Sequence, residues 1–375
     1  MIANEERKER LARFEYIMAF NLITSISRSG YGYHGLNVFK AAWNMGIEVA
    51  LWPTSVDINH DEHKDILRGI AQQTYYNYFQ PSVSIAPASA LALHVGKGAR
   101  VGWPAFELNR FTKQEKHHLG SQDILLVASA WAKGIINREV PGLKCEVVHL
   151  GVDRDIFSPD IPVSKDDYND ATVFINIGKW EKRKAQEEVL DAFNKAFEPH
   201  DNVLLIFACN NPFNERINSY WINLCNQCKM APKIKTLNQR FDSQREIAKL
   251  MSAADCGIFP SRGEGWNLEL LEMMSMGKKV IATNYSAHTE YCNAENCLLV
   301  DIDDYEPAHD GLFFFGDGEW ATIGSSQCEQ MILYMRQIHH MRSSGFCLIN
   351  YPGMATAESF TWRRSVQSLM SAIGD

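Results

Sequence analysis

The chain has 375 residues, 46% apolar and 22% charged, with a formal net charge of −8. That is ordinary globular composition with room for two domains, and the negative balance excludes a dedicated nucleic-acid coat while leaving room for a local basic patch. No apolar run approaches the ~20 residues of a membrane span, and the mixed-charge opening MIANEERKERLARFEYIMAF lacks the pattern of a signal peptide, so a cytoplasmic location is expected.

Strand-like and helix-like segments alternate along the chain, which predicts an α/β protein with parallel sheets. Ile17 to Ile26 reads as a strand. The glycine run Gly30-Tyr31-Gly32-Tyr33-His34-Gly35 follows, then a helical pattern from Leu36 to Asn44 and a second strand from Ile47 to Trp52. Asp123 to Ala128 is strand-like, Ser129 to Lys133 opens a helix, and Cys145 to Leu150 is another strand. The polar stretch Asp160 to Asp170 is the best linker candidate. A second unit starts at Ala171 with TVFINIG, then shows a helix from Ala185 to Phe197, a strand from Val203 to Ala208 and a helix from Gln244 to Ala254. Asp255 to Phe259 is a short buried strand ended by Pro260, and Lys279 to Thr283 is the next one. Ser359 to Ile373 is helical.

The nine cysteines are scattered. Cys225 and Cys228 form a CxxC in a helix-like stretch with no second pair nearby, whereas a zinc ribbon needs that pair. Packing thiols and no bound metal are expected.

The most informative stretch is Pro260-Ser261-Arg262-Gly263-Glu264-Gly265-Trp266-Asn267-Leu268-Glu269-Leu270-Leu271-Glu272. Its polar residues sit at a strand's carboxyl end, where open parallel sheets bind ligands. Asn267 reads as the N-cap of a helix from Leu268 to Met276, with Gly277 as its stop. Free amides at such a helix start favour an anion, and Glu264 and Glu272 can accept hydrogen bonds from hydroxyls. That combination suits a sugar nucleotide. A second loop, Gly178-Lys179-Trp180-Glu181-Lys182-Arg183-Lys184, also follows a strand and opens a helix. Fixed cations there can neutralise a departing diphosphate without a divalent metal.

These segments resemble the retaining glycosyltransferases of family four, which have the GT-B fold and a Glu-x7-Glu motif. The resemblance is strongest from Asp255 to Glu290. It implies two Rossmann-like parallel-sheet domains facing across a cleft: an acceptor-side domain over 1–158, a nucleotide-sugar domain over 159–350, and a C-terminal helix within 351–375 that packs back on the first domain. It implies that Glu264 contacts the donor sugar and Glu272 the nucleotide ribose. Lys179 stands at the family's phosphate-binding arginine and Lys184 at its lysine, with Arg183 as a further candidate. Glu264, Lys184 and Arg183 are thus the catalytic candidates. Gly30, Gly32, Lys179, Lys184, Gly265, Trp266, Asn267, Leu268 and Glu272 are the donor-binding ones. Four positions depart from family glycines: Ala185, Asn267, Ser286 and Ala287. The segment from His149 to Pro159 resembles the family's Asn-Gly-Val-Asp…Phe-Pro run, with a tight turn at Gly151 and a capping aspartate. Ser129 and Trp131 match its Ser-x-Trp, and Glu290 a glutamate in a donor-side loop.

Gly30 to Gly35 also satisfies GxGxxG literally. Against a dinucleotide site stand the polar residues Ser25 to Ser29 before the first glycine and a second strand ending at Leu51-Trp52-Pro53 without an acid for the ribose. A flexible glycine loop facing the donor is the expectation instead. His94 and Glu107 are acceptor-side candidates, and the aromatic cluster Tyr75, Tyr76, Tyr78 and Phe79 reads as core packing.

The expected reaction is sugar transfer from a nucleotide-diphosphate sugar to an acceptor hydroxyl with retention, needing no cofactor. The acceptor stays open among a glycan, a lipid-linked sugar, a small molecule, a protein and a hydroxylated DNA base. The basic segment Arg110 to His118 and the pair Arg363-Arg364 are the places a phosphate-rich acceptor would touch. A sugar-nucleotide epimerase, an NAD-dependent oxidoreductase and a non-catalytic binding module are the competing readings.

Overall fold

A computed structural model describes residues 19–58, 76–162, 168 and 170–374. Residues 1–18 of the helix-like opening, Tyr75, and residues 163–167 and 169 of the linker candidate lie outside the described residues.

The first sheet holds β1 (Ala19–Ser27), β2 (Glu48–Asp57), β3 (Ser82–Ile85), β4 (Arg100–Gly102), β5 (Ile124–Val127) and β6 (Lys144–Val147) in the order β2-β1-β3-β4-β5-β6. The second holds β7 (Thr172–Gly178), β8 (Val203–Cys209), β9 (Ile234–Thr236), β10 (Cys256–Phe259), β11 (Lys279–Thr283) and β12 (Leu298–Val300) in the order β12-β11-β10-β7-β8-β9. Every pairing in both sheets is parallel. Parallel strands are covered on both faces, and β3, β5 and β10 are accordingly buried along their whole length. β2 tolerates Pro53 because it is an edge strand.

Among the described residues the α-helices are α1 (Gly30–Asn44), α2 (Lys113–Gly120), α3 (Ala130–Glu139), α4 (Gln186–Ala196), α5 (Glu215–Gln227), α6 (Gln244–Ser252), α7 (Leu268–Ser275), α8 (Ser325–Ser343), α9 (Tyr351–Ser359) and α10 (Trp362–Gly374). α4 places Val189, Leu190, Phe193 and Ala196 on the core side at helical spacing. Cys225 of α5 is buried in that same core, beside Trp221, whose indole stacks on Trp180 at 5.0 Å. An antiparallel hairpin of β13 (Tyr305–His309) and β14 (Phe315–Ala321) is appended to the second unit.

The chain's end crosses back to the first sheet. Gly151 lies so close to that crossing that a Cβ there would meet Trp362 N at 2.2 Å, and Val152 bridges Thr361. Ser365 Oγ donates to His149 O at 2.6 Å, and the rings of Trp362 and His34 stack at 6.0 Å. Gly151 is therefore a close-approach glycine. Asp153 pairs with Lys40 of α1 at 3.2 Å, and its other oxygen accepts from the amide of Asp155.

The glycine run is a correction. Gly30 to Gly35 is not a flexible loop but the opening of α1, with Ser29 as N-cap accepting from Gly32 N at 3.2 Å. A Cβ on Gly32 would lie 2.1 Å from Ser27 O, and one on Gly35 would lie 2.1 Å from Thr24 Oγ1. The glycines let helix and strand pack tightly. Both sequence arguments against a dinucleotide site fail here as well. β1 reaches Ser27, so the turn is direct, and β2 runs on to an acid, Asp57. What the structure offers instead is that both Asp57 oxygens are engaged, by Arg28 at 3.0 Å and Arg240 at 2.7 Å.

Candidate active site

The second sheet's order places β7 and β10 side by side in its middle, with β8-β9 on one flank and β11-β12 on the other. This is the strand order of doubly wound, nucleotide-binding α/β sheets, and the crevice at the carboxyl ends of the two central strands is where such sheets bind ligands. The loop after β7 carries Lys179 to Lys184, and the loop after β10 carries Ser261 to Asn267. The topology thus brings together two motifs about eighty residues apart.

Glu264 is the centre of the contact between them. Its Oε2 lies 2.8 Å from Arg183 Nη1 and its Oε1 lies 2.9 Å from Lys184 Nζ. Ser261 Oγ donates to Oε1 at 2.7 Å, and the Glu264 amide donates to Ser286 Oγ at 2.9 Å. All three charged side chains are buried. Burial alone would push the Glu264 carboxyl up, but Arg183 and Lys184 overcome it and hold the group well below the usual carboxylate range. Burial pulls on both cations too, yet the neighbouring carboxylates keep Arg183 and Lys184 firmly charged. Arg183 also donates to Gly263 O at 2.6 Å and pairs with Glu181.

Glu272 lies on α7, in its second turn and eight residues past the loop residue Glu264, and is buried. Among the described residues no side chain donates to its carboxylate. Burial, with Glu269 and Asp153 adding to it, pushes its carboxyl well above the ordinary value. A buried acceptor of this kind is costly until a donor reaches it.

Of the four residues that stand where the resemblance expects glycine, three share one backbone property. Ala185, Asn267 and Ser286 have φ of +55°, +80° and +53°, in the left-handed region that favours glycine. Asn267 caps Leu270 N at 3.3 Å as expected, and Gly277 ends the helix at φ +69°.

Other residues are placed as follows. Lys179 pairs with Glu181 at 2.8 Å and lies over the Phe313 ring at 4.1 Å, so its ammonium joins the cluster only through Glu181. Gly265 and Trp266 face the first domain: a Cβ on Gly265 would lie 3.2 Å from Phe106 N, and buried Trp266 packs on His149 and Tyr291. Leu268 starts α7. Gly30 and Gly32 lie in the first turn of α1 on either side of Tyr31, whose hydroxyl donates to Ala105 O at 2.6 Å.

Of the two acceptor-side candidates, Glu107 reaches the site and His94 does not. A Cβ on Gly263 would lie 2.5 Å from Glu107 O. Burial pushes the Glu107 carboxyl up, with Arg183 opposing and Glu264 adding to the shift. His94 instead feels Arg100 and Asp123, which stand at the amino ends of β4 and β5, away from the cleft. The chain has turned back across the sheet by that point. Tyr78 and Phe79 are exposed, which corrects their reading as core residues.

Two polar contacts bridge the domains beside the cleft. Glu290 accepts from Ala130 N at the head of α3 at 2.7 Å and lies 2.7 Å from His149 Nε2. Arg28 reaches Asp242 at 2.6 Å, while Arg240 reaches Asp57. Glu290 thus binds the first domain in this structure. Sequence reasoning gave no role to Ser261, Thr283 or His288. Thr283 ends β11, and Ser261 and His288 lie in the segments that follow β10 and β11, so their one signal was position at a strand's carboxyl end.

Residues 171–311 match the family model described as Glycosyl transferases group 1. No curated protein matches the chain. Among solved structures, it is similar to a sucrose-phosphate synthase from Thermosynechococcus elongatus at 13% identity and TM-score 0.66, covering 94% of this chain and 97% of that one. It is similar to HepE of Anabaena in complex with UDP and glucose at 13% identity and TM-score 0.67, covering 95% and 99%. An α,α-trehalose 6-phosphate synthase from Burkholderia multivorans is similar at 10% identity and TM-score 0.63, covering 96% and 98%. The fold is GT-B, with two six-stranded parallel sheets and their helices. The family match lies over the second sheet, and the likeness to these structures shows the fold.

Proposed function

We propose that this protein transfers a sugar from a nucleotide-diphosphate sugar to an acceptor hydroxyl with retention at the anomeric carbon. The observation that carries the reading is the Glu264 carboxylate held between buried Arg183 and Lys184 at the crevice of the second sheet. Lys184 and Arg183 stabilise the leaving diphosphate, aided by the amides at the head of α7. Glu264 orients the donor sugar, and Glu272 accepts from the ribose hydroxyls. The bond from the anomeric carbon to the phosphate oxygen breaks. The acceptor oxygen bonds to the same face, and its proton passes to the leaving phosphate oxygen. In this scheme fixed cations do the work of a divalent metal. Activity lost in chelator and restored by manganese would contradict it.

The test is thermal stabilisation by UDP, GDP, ADP, CDP, TDP and NAD without metal. UDP is the first candidate because HepE, which shares the fold, is in complex with it. A ligand at about 100 times its dissociation constant adds roughly 2.7 kcal/mol of stability. A response to one nucleoside diphosphate supports the proposal and selects the donor to assay. A response to NAD alone moves the reading to an oxidoreductase, and silence across the panel counts against the donor site.

A further inference from the structure

The polar side chains behind the Glu264 loop form a continuous buried chain. Asn267 Oδ1 accepts from Leu270 N, which leaves Asn267 Nδ2 to donate, and that nitrogen lies 2.9 Å from His288 Nε2. The other ring nitrogen, Nδ1, lies 3.1 Å from Thr283 O, which can only accept. Nδ1 therefore carries the proton, and Nε2 presents its lone pair to Asn267. Thr283 Oγ1 donates to Ser261 O at 2.7 Å, and Ser261 Oγ donates to Glu264. Burial keeps the His288 ring neutral, with its pKa moved down to about 4. His288, Thr283 and Ser261 are all at most 1% exposed.

A left-handed backbone costs a non-glycine residue about 1–2 kcal/mol, and asparagine tolerates it best because its side chain bonds locally. At Asn267 that side chain has two partners, one along α7 and one across to the 3₁₀ turn Ser286–Glu290. A histidine that only filled space would not need its lone pair aimed at a buried donor. We infer that His288 is a positioning residue: by accepting from Asn267 Nδ2 it fixes the left-handed turn that starts α7, and so sets the direction of the helix's first amides and of the loop that carries Glu264. The part of this that concerns the donor rests on the function proposed above. The coupling between Asn267 and His288 does not.

The test is a cycle of His288→Phe and Asn267→Gly, alone and together, with His288→Gln as the conservative variant. Each protein is melted without ligand and titrated with UDP. Phenylalanine keeps a planar ring but leaves Asn267 Nδ2 unsatisfied, so H288F is expected to weaken UDP about tenfold and to lower the melting midpoint. With glycine at 267 there is no side chain to hold, and both losses shrink to the part that the Nδ1–Thr283 O bond and the larger ring account for in either background. His288→Gln, whose carbonyl can accept, recovers most of the lost affinity. Equal losses in both backgrounds, or no loss from H288F in the parent, would overturn the inference. If H288F folds only together with N267G, the coupling is confirmed, and failure to fold in both backgrounds counts as equal loss. Should the parent protein ignore UDP, the proposed donor fails, and the melting midpoints still decide the coupling.

Discussion

Lys184 Nζ lies 2.9 Å from Glu264 Oε1, and both side chains are buried at the carboxyl end of the second sheet. Removing one partner of a buried ion pair typically costs 3–5 kcal/mol, because the remaining charge is left uncompensated. Here Arg183 still faces Glu264 when Lys184 is removed. Lys184→Met is therefore expected to cost about 3 kcal/mol, at the lower edge of that range. Adding Glu264→Gln to it should recover part of the loss. Chemical denaturation of the two single variants and the double variant measures this, and strictly additive losses would show that the pair is not coupled.

Glu264 and Glu272 should respond to pH in opposite directions. The folded state holds the Glu264 carboxyl below the ordinary 4.5 and the Glu272 carboxyl well above it. Below pH 4.5 the unfolded chain binds a proton at Glu264 before the folded chain does, so the stability from that group is lost as pH falls. Above pH 4.5 the folded chain keeps the Glu272 proton that the unfolded chain releases, so stability falls as pH rises until the buried carboxyl ionises. Glu272→Gln is therefore predicted to be more stable than the parent at pH 7, by about 1 kcal/mol, with the gain shrinking towards pH 4. Melts across that range test it, and a gain that is flat with pH would sink the assignment.

Ala185 occupies a left-handed backbone position with φ +55°, so Ala185→Gly should raise stability by about 1 kcal/mol. Ser286→Gly should show no such gain. Its hydroxyl accepts from the Glu264 amide, and deleting it removes that bond along with the strain. Comparing the two melting midpoints checks this, and equal gains would contradict it.

Gly263 is where the loop after β10 meets the first domain, since a Cβ there would lie 2.5 Å from Glu107 O. Gly263→Ala must push the 105–107 segment away and hold the cleft wider. Turnover is predicted to fall about tenfold or more, with a smaller effect on nucleotide affinity, because the donor half stays intact while the approach of the acceptor half is lost. Steady-state rates set beside calorimetric nucleotide binding separate the two. An affinity loss as large as the rate loss would place the damage in the donor site instead.

The unit around the second sheet was the more legible one. The Asn267 cap, the Gly277 stop and the strand over Lys279–Thr283 all stand in the sequence as local signals, because a capped helix between two short buried strands is specified residue by residue. What the sequence hid is tertiary. The start of α1 was obscured because its first turn is rich in glycine, and those glycines answer to the strand beneath them. α8 has Gly324 as its N-cap, a residue with no side chain to signal the start, and the hairpin β13–β14 is largely exposed and lacks a buried alternation. His94 and Glu107 looked alike as polar residues in the first domain. Only the path of the chain, back to the amino ends of the strands for one and out to the cleft for the other, separates them.

The most direct test of the donor assignment is calorimetric titration of UDP and UDP-glucose into the parent protein, Glu272→Ala and Glu264→Ala. The account predicts that Glu272→Ala weakens both ligands alike, since each carries the ribose. Glu264→Ala should weaken UDP-glucose well beyond UDP. If the two variants weaken free UDP equally, the division of the motif into a sugar carboxylate and a ribose carboxylate is wrong.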